Sequence, residues 1–237
     1  MKIHRFILDN MKIPQDGDFF VEDKKIYHQV KNVLKIAKAE KIIVCDGEGI
    51  EAECVIRDFD RDRLNLSVIE TRENAGEPKR KVVLCLSILK KENFELAAQK
   101  AVEVGVSEIT PIITERTVKL GLKTERLQKI IREASEQSGR SVLPKLNEPI
   151  NFSEALASAM SNSHVFFFDS SGSSLNTYPI ILNTGIAVFI GPEGGWMEKE
   201  IALAKDSGAK IVSLGSLTLR AETATVVATY LTTTLTL

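Results

Sequence analysis

The chain has two hydrophobic rhythms. Over roughly the first seventy residues, short apolar or alternating runs at 2–8, 18–21, 41–45, 50–58 and 64–71 predict strands. One helix interrupts them, with Ile26, Val30, Val33, Leu34 and Ala37 on one face. The last two runs alternate in part, as half-buried antiparallel strands do. Several short strands with one helix predict a small barrel over residues 1–72. Segment 72–80, RENAGEPKR, is polar, carries Gly76 and Pro78, and reads as a linker.

From Lys81 the rhythm becomes an alternation of strand and helix, which predicts a second domain over residues 73–237. Segment 81–89 reads as a strand. Segment 92–104 reads as a helix with Phe94, Ala97, Ala98, Ala101 and Val102 inward, and 108–114 as a strand. Thr124 is placed to cap a helix that buries Leu127, Ile130, Ile131 and Ala134, and Ser153 to cap another. Strands follow at 164–168, 186–190 and 210–214. The pattern predicts an α/β fold with a mostly parallel sheet covered by helices.

Ligands of such sheets sit at the C-terminal ends of the strands. Two glycine-bearing segments lie there, each between a strand and a helix. One is Gly191-Pro192-Glu193-Gly194-Gly195, and the other runs from Leu214-Gly215 through Leu217, Leu219 and Arg220 to Glu222, Thr223 and Ala224. Together they can build one pocket from backbone N–H and C=O groups, suited to a nucleotide-like ligand. Taken singly, the first is also a tight turn with an exposed glutamate. Glu222 is favoured by the helix dipole, whereas Arg220 at a helix start calls for an anionic partner. A third cluster, Glu133-Ala134-Ser135-Glu136-Gln137-Ser138-Gly139-Arg140, either grips a phosphate or base edge with Arg116, or is a helix end capped by Gly139. The GxGxxA match at Gly47 is followed by a strand and carries the hairpin signal Asp46-Gly47, so it is no dinucleotide fingerprint.

Composition narrows the classes. Hydrophobic residues at 43% and charged residues at 27% are those of a soluble globular protein. The start, Met1-Lys2-Ile3-His4-Arg5-Phe6, lacks the apolar stretch of a signal peptide, and no run is long enough to span a bilayer, which predicts a cytoplasmic protein without membrane contact. Cys45, Cys54 and Cys85 read as buried reduced thiols. The histidines are scattered without ligand spacing, so no metal is expected, and no P-loop or nucleophile elbow is present. Net charge is −1, yet 79–145 hold 14 basic against 8 acidic residues, while 146–237 hold 4 against 8. That asymmetry fits a phosphate-facing surface, or a set of solvated helix faces.

Together the segments resemble the bacterial 16S ribosomal RNA uridine-N3 methyltransferases, the RsmE type within the SPOUT class. The resemblance runs through His4-Arg5-Phe6, His28 and Val33-Leu34-Lys35, Asp46-Gly47-Glu48-Gly49, Lys90, the segment 100–106, Pro111, Thr114-Glu115-Arg116, EQSGR, GPEGG and LG…LRAETA. It implies an N-terminal PUA-like RNA-binding barrel and a C-terminal SPOUT domain with a deep trefoil knot, an exception to unknotted chains. It implies S-adenosyl-L-methionine held by Phe168, Asp169, Ile190, Gly191, Pro192, Glu193, Gly194, Gly195, Leu214, Gly215, Leu217, Leu219, Arg220, Thr223 and Ala224. Arg220 and Glu222 are the catalytic candidates. Arg5, Lys35, Lys90, Arg116, Gln137 and Arg140 are the RNA-binding candidates. The partners implied are 16S ribosomal RNA or the small subunit, and a second copy in a homodimer. Other outcomes are a SPOUT methyltransferase for another RNA or a ribose 2′-oxygen, and a non-catalytic RNA-binding assembly factor. The chain departs from the family at Lys35, usually arginine, at Met197, often Ser or Thr, and at Thr218, commonly aliphatic.

Overall fold

The structure is a computed structural model that describes residues 3–9, 11–117, 121–175 and 185–234. Lys2, at the start of the first expected strand, and 235–237, at the end of the Thr/Leu-rich tail, lie outside the described residues. The chain divides into two units, Met1–Glu77 with Ser135–Leu143, and Pro78–Ala134 with Pro144–Leu237.

The first unit holds β1 (His4–Ile7), β2 (Asp18–Val21), β3 (Lys41–Cys45), β4 (Ile50–Asp60) and β5 (Arg63–Glu73), in the order β1-β3-β4-β5-β2. β1 runs parallel to β3, and the other neighbours are antiparallel. Phe6, Ile42, Val44, Ala52, Cys54, Ile56, Leu64 and Leu66 form the core, as period-two alternation requires. Register shifts at Glu53/Cys54 and Ile56/Asp58 interrupt the long β4–β5 ladder. Helix α1 (Lys24–His28) starts at Asp23, whose carboxylate accepts from the Lys25 and Ile26 N–H groups, and it continues as a π turn over Gln29–Val33. The expected helix reached Ala37. It stops earlier because Lys35 turns left-handed (φ 54°) and Ile36 N–H returns to the Val30 carbonyl.

The Asp46-Gly47 segment is the β3–β4 hairpin. Asp46 Oδ1 accepts from the N–H groups of Glu48, Gly49 and Ile50 at 2.8–3.0 Å, and Gly47 adopts φ 81°. The expected linker is anchored as well. Asn74 Nδ2 donates to the Gly139 carbonyl, and Glu77 Oε1 accepts from Ser141 and Val142 N–H at 2.8 and 2.9 Å. These bonds explain why the division falls after Glu77 and not after 72, and why Ser135–Leu143 groups with the N-terminal strands.

The second unit holds β6 (Val82–Ser87), β7 (Glu108–Ile113), β8 (Lys145–Leu146), β9 (Ile150–Asn151), β10 (Ser163–Ser174), β11 (Gly185–Ile190) and β12 (Lys210–Ser213). Their order is β12-β10-β11-β6-β7-β8, with β9 also on β7, and every pairing is parallel. The helices are α2 (Lys91–Glu103), α3 (Thr124–Ser138, whose residues from Ser135 group with the first unit), α4 (Phe152–Asn162), α5 (Glu198–Asp206) and α6 (Ala221–Thr234). Alternate residues of the buried strands face opposite layers. Cys85, Val165, Phe167, Ala187 and Phe189 share one core with Phe152, Leu156 and Ala204 of α4 and α5, while α6 packs on α2, β6 and β11. Burial of a ring such as Phe167 or Phe189 contributes roughly 1.5–3 kcal/mol. The cap of α4 is Asn151 and not Ser153, because Phe152 already belongs to the helix and fills that core. β10 outlasts its expected end at 168. It bulges after Phe168 and rejoins β12 at Ser173, where a Cβ on Gly172 would come within 2.5 Å of Val212 N.

Candidate functional site

Strands β12, β10 and β11 lie side by side, and the loops after β11 and β12, with the bulged stretch of β10 after Phe168, frame a cavity of about 650 Å³. β11 delivers the 191–195 turn. A Cβ on Gly191 would lie 2.9 Å from Nε1 and Cε2 of Trp196, so only glycine lets the backbone cross the indole. Trp196 is rooted in the core, with its ring centroid 4.3 Å from that of Phe167, and its Nε1–H donates to the Phe168 carbonyl at 3.0 Å. The loop after β11 is thereby tied to the end of β10. Gly195 closes the turn with φ 72° and an N–H bond to the Pro192 carbonyl at 2.8 Å. Glu193 Oε1 accepts from Lys90 N–H at 3.1 Å and Asn93 Nδ2 at 3.2 Å, at the start of α2. Burial pushes the Glu193 carboxyl up, but hydrogen bonds from its own backbone, Lys90 and Asn93, with the Lys90 charge, leave it below its ordinary value.

The bulge of β10 after Phe168 is shaped by Asp169, whose Oδ1 accepts from Ser171 N–H at 2.9 Å and Ser171 Oγ at 2.6 Å. After β12, Ser213 Oγ donates to the Gly215 carbonyl and accepts from its N–H, and Gly215 adopts φ 124°. The chain then enters α6, whose first bond runs from Ala224 N–H to the Arg220 carbonyl at 2.8 Å. Arg220 is exposed on the rim, and Glu222 follows in the first turn. Glu222 Oε2 is buried and has no hydrogen-bond partner. An acceptor kept from water without a donor is costly, and a cavity wall is where a ligand can supply one.

Phe168, Asp169, Ile190, all of 191–195, Leu214, Gly215, Leu217, Leu219, Arg220, Glu222 and Ala224 line the cavity. Thr223 does not; it is exposed on the helix. Asn93, Ser170, Trp196, Val212 and Ser213 also line it and were not anticipated, while Thr218 and Ala221, within the expected segment 214–224, line it too. Asn93 enters from α2, which the local motifs do not reveal. Trp196 directly follows GPEGG, and a lone tryptophan after a glycine turn was a readable signal.

The expected RNA contacts separate into two groups. Lys35, Lys90 and Gln137 are exposed. Arg5 and Arg140 are not; both are engaged inside the first unit. Arg5 Nη1 bonds Glu51, Cys45 Sγ at 3.0 Å and Ser141 Oγ at 2.8 Å inside the first unit. Arg140 pairs with Glu77 at 3.1 Å, with only 8% of its side chain exposed. Gly139 takes φ 84° and Arg140 N–H returns to the Ser135 carbonyl, so the EQSGR segment is a capped helix end. Arg116 is exposed, but its Nη1 bonds the Gly194 carbonyl.

The cysteines are buried and free, and burial pushes the thiols of Cys54 and Cys85 up to about 12. Among the described residues no cluster of His, Cys, Asp or Glu is arranged to hold a metal, and no helix is long and apolar enough to cross a membrane.

Comparison with known proteins agrees with this layout. The sequence pattern of the RNA methyltransferase domain matches residues 76–233. Ribosomal RNA small subunit methyltransferase E of Mesomycoplasma hyopneumoniae is 38% identical over 165 residues, covering 67% of this chain and 72% of that protein. The crystal structure of a ribosomal RNA small subunit methyltransferase E from Neisseria gonorrhoeae bound to S-adenosyl methionine superposes with a TM-score of 0.89 at 29% identity, over 96% of this chain and 95% of that one. A putative methyltransferase from Legionella pneumophila, in complex with the bound cofactor SAM, gives 0.86 at 28% identity, over 97% and 96%. A cavity at the strand ends, built by the two glycine segments, thus sits in a chain that belongs to the RNA methyltransferase family of ribosomal RNA small subunit methyltransferase E.

Proposed function

We propose that the chain binds S-adenosyl-L-methionine in this cavity and methylates N3 of a uridine in 16S ribosomal RNA. The observation that carries the reading is the buried, unpartnered Glu222 Oε2 on a residue that lines the cavity between the two glycine segments. The residues present fit the cofactor. Gly191 leaves the backbone bare against Trp196, and about 650 Å³ accommodates a nucleoside with an amino-acid arm. When bound, S-adenosyl-L-methionine supplies a methyl group activated by its sulfonium.

The chain's own residues have two tasks. The loops 191–195 and 214–220 hold the donor in place, so that the acceptor nitrogen meets it in line. Glu222 takes the proton that uracil N3 must lose, and Arg220 on the rim stabilises the negative charge that spreads onto the uracil oxygens. N3 lies on the Watson–Crick edge, so the target uridine must be unpaired.

The same proposal covers the finer architecture. The bulged stretch of β10 after Phe168 and the loops after β11 and β12 meet in one cavity, which supports the trefoil knot expected of the SPOUT class. The mixed five-stranded sheet around Phe6, Ile42 and Leu66 supports a PUA-like RNA-binding barrel, with Lys35 and Gln137 exposed on that unit and Lys90 on the other. Leu217, 80% exposed on the cavity rim, and Tyr230 of α6, 54% exposed, support a homodimer. The cytoplasm, where ribosomes assemble, is the proposed compartment, and no metal is invoked.

The test is incubation with labelled S-adenosyl-L-methionine and either under-methylated small subunits or free 16S RNA, followed by nucleoside mass spectrometry. The expected product is 3-methyluridine. A methylated ribose would redirect the reading to another SPOUT activity, and absence of transfer to either RNA would leave an RNA-binding assembly factor.

A further inference from the structure

The 191–197 loop is held from outside by a closed ring of bonds that starts at the end of β7. The turn after β7 is fixed by Thr117 Oγ1, which accepts from Thr114 N–H at 2.9 Å, and by Thr117 N–H, which donates to the Thr114 carbonyl at 3.1 Å. It presents two neighbouring residues to the loop. Arg116 Nη1 donates to the carbonyl of Gly194 and, at 3.4 Å, to that of Trp196. Its aliphatic stem lies along the glycines, where a Cβ on Gly194 would sit 3.4 Å from Arg116 Cδ. Glu115 N–H donates to Glu200 Oε1 at 3.1 Å. The other oxygen of Glu200 accepts from Met197 N–H at 2.8 Å. Glu200 is 5% exposed, and its two oxygens thus tie the residue before Arg116 to the residue after Trp196. Met197 offers no side-chain oxygen to cap α5, so Glu200 supplies that cap alone.

We propose that Arg116 is a positioning residue for the cofactor cavity, seated by Glu200, and not an RNA contact. Rigid turns lower the cost of ordering a loop around its ligand. With the Gly194 and Trp196 carbonyls drawn towards Arg116, the loop is set before the ligand arrives. The inference rests on the cavity being the S-adenosyl-L-methionine site.

Trp196 is the sole tryptophan of the chain and lines the cavity, so its fluorescence reports the loop directly. The unaltered protein, Arg116→Ala, Arg116→Lys and Glu200→Gln are titrated with S-adenosyl-L-methionine by tryptophan fluorescence and calorimetry. Each is also titrated with 16S RNA at several salt concentrations. Arg116→Ala is expected to weaken cofactor binding about tenfold, as loss of a charge-assisted hydrogen bond implies. Its RNA affinity and salt slope should match those of the unaltered protein. Arg116→Lys keeps a donor and should regain part of the cofactor affinity. Glu200→Gln keeps one acceptor of two and should fall between Arg116→Ala and the unaltered protein. If Arg116→Ala keeps full cofactor affinity, while RNA binding weakens and its salt slope drops by about 0.7, Arg116 contacts a phosphate and the proposal is overturned. Failure of the unaltered protein to bind S-adenosyl-L-methionine overturns the cavity assignment, and the proposal with it.

Discussion

Each unit brings an arginine and a glutamate to one place, with opposite outcomes. In the first unit both oxygens of Glu51 are engaged. Oε2 accepts from Arg5 and, at 2.8 Å, from Ser141 Oγ, while Oε1 accepts from Arg72 Nε at 3.0 Å. The residue is 3% exposed. In the second unit Glu222 Oε2 is buried without a partner, and Arg220 stands exposed beside it in the chain. A satisfied buried charge holds a fold together, whereas an unsatisfied one on a cavity wall is available to a ligand. Motif spacing does not separate these cases. The difference lies in whether the fold supplies the donors.

The comparison breaks most easily at Glu222. Glu222→Gln should lower methyl transfer by about 10²- to 10⁴-fold, the usual contribution of a positioned base, with the thermal midpoint kept or raised. Wild-type turnover in that variant would remove Glu222 from the chemistry. Glu51→Ala should act in the opposite register. Breaking a buried pair from one side costs about 3–5 kcal/mol, read as a lower urea midpoint, while per-molecule turnover of the folded fraction is retained. Gly172→Ala forces a Cβ into the β12 backbone and should cost about 1–3 kcal/mol in the same assay.

The smallest effect is a pH dependence. Burial alone would raise the Glu51 carboxyl, but bonds from Arg5 and Ser141, with the Arg5 charge, hold it below the ordinary value of a glutamate. A depressed folded value means that the stabilisation is present above pH 4.5 and is lost as pH falls through the lower folded value. Thermal midpoints measured from pH 7 to pH 3 should therefore decline below about pH 4.5, and Glu51→Gln should flatten that part of the decline.

What was legible followed from local rules. GPEGG and LG…LRAETA announced a cavity because glycine, proline and helix-start chemistry restrict the backbone within a few residues. The Asp46-Gly47 hairpin was readable for the same reason. The pairing of Arg5 and Arg140 was not legible because their partners, Glu51 and Glu77, are remote in sequence; a positive charge shows in a sequence, and its neutralisation does not. β8 and β9 have two residues each, too few for any period. The end of β10, Asp-Ser-Ser-Gly-Ser-Ser, opposes strand propensity and exists because Gly172 lets it close on β12. Asn93 joined the site through Glu193, again a contact between distant residues.

The return of Ser135–Leu143 to the N-terminal unit has a consequence for synthesis on the ribosome. Ser141 and Val142 are bonded to Glu77, and Ser141 also bonds Glu51, so the first-made strands lack these partners while Pro78–Ala134 is being translated. The N-terminal unit therefore cannot be completed in strict order of emergence. Glu77 must wait for residue 142 to clear the exit tunnel, and a nascent chain arrested at residue 77 carries this carboxylate before its native donors have been made, whereas Glu51 already has Arg5 and Arg72 and lacks only Ser141.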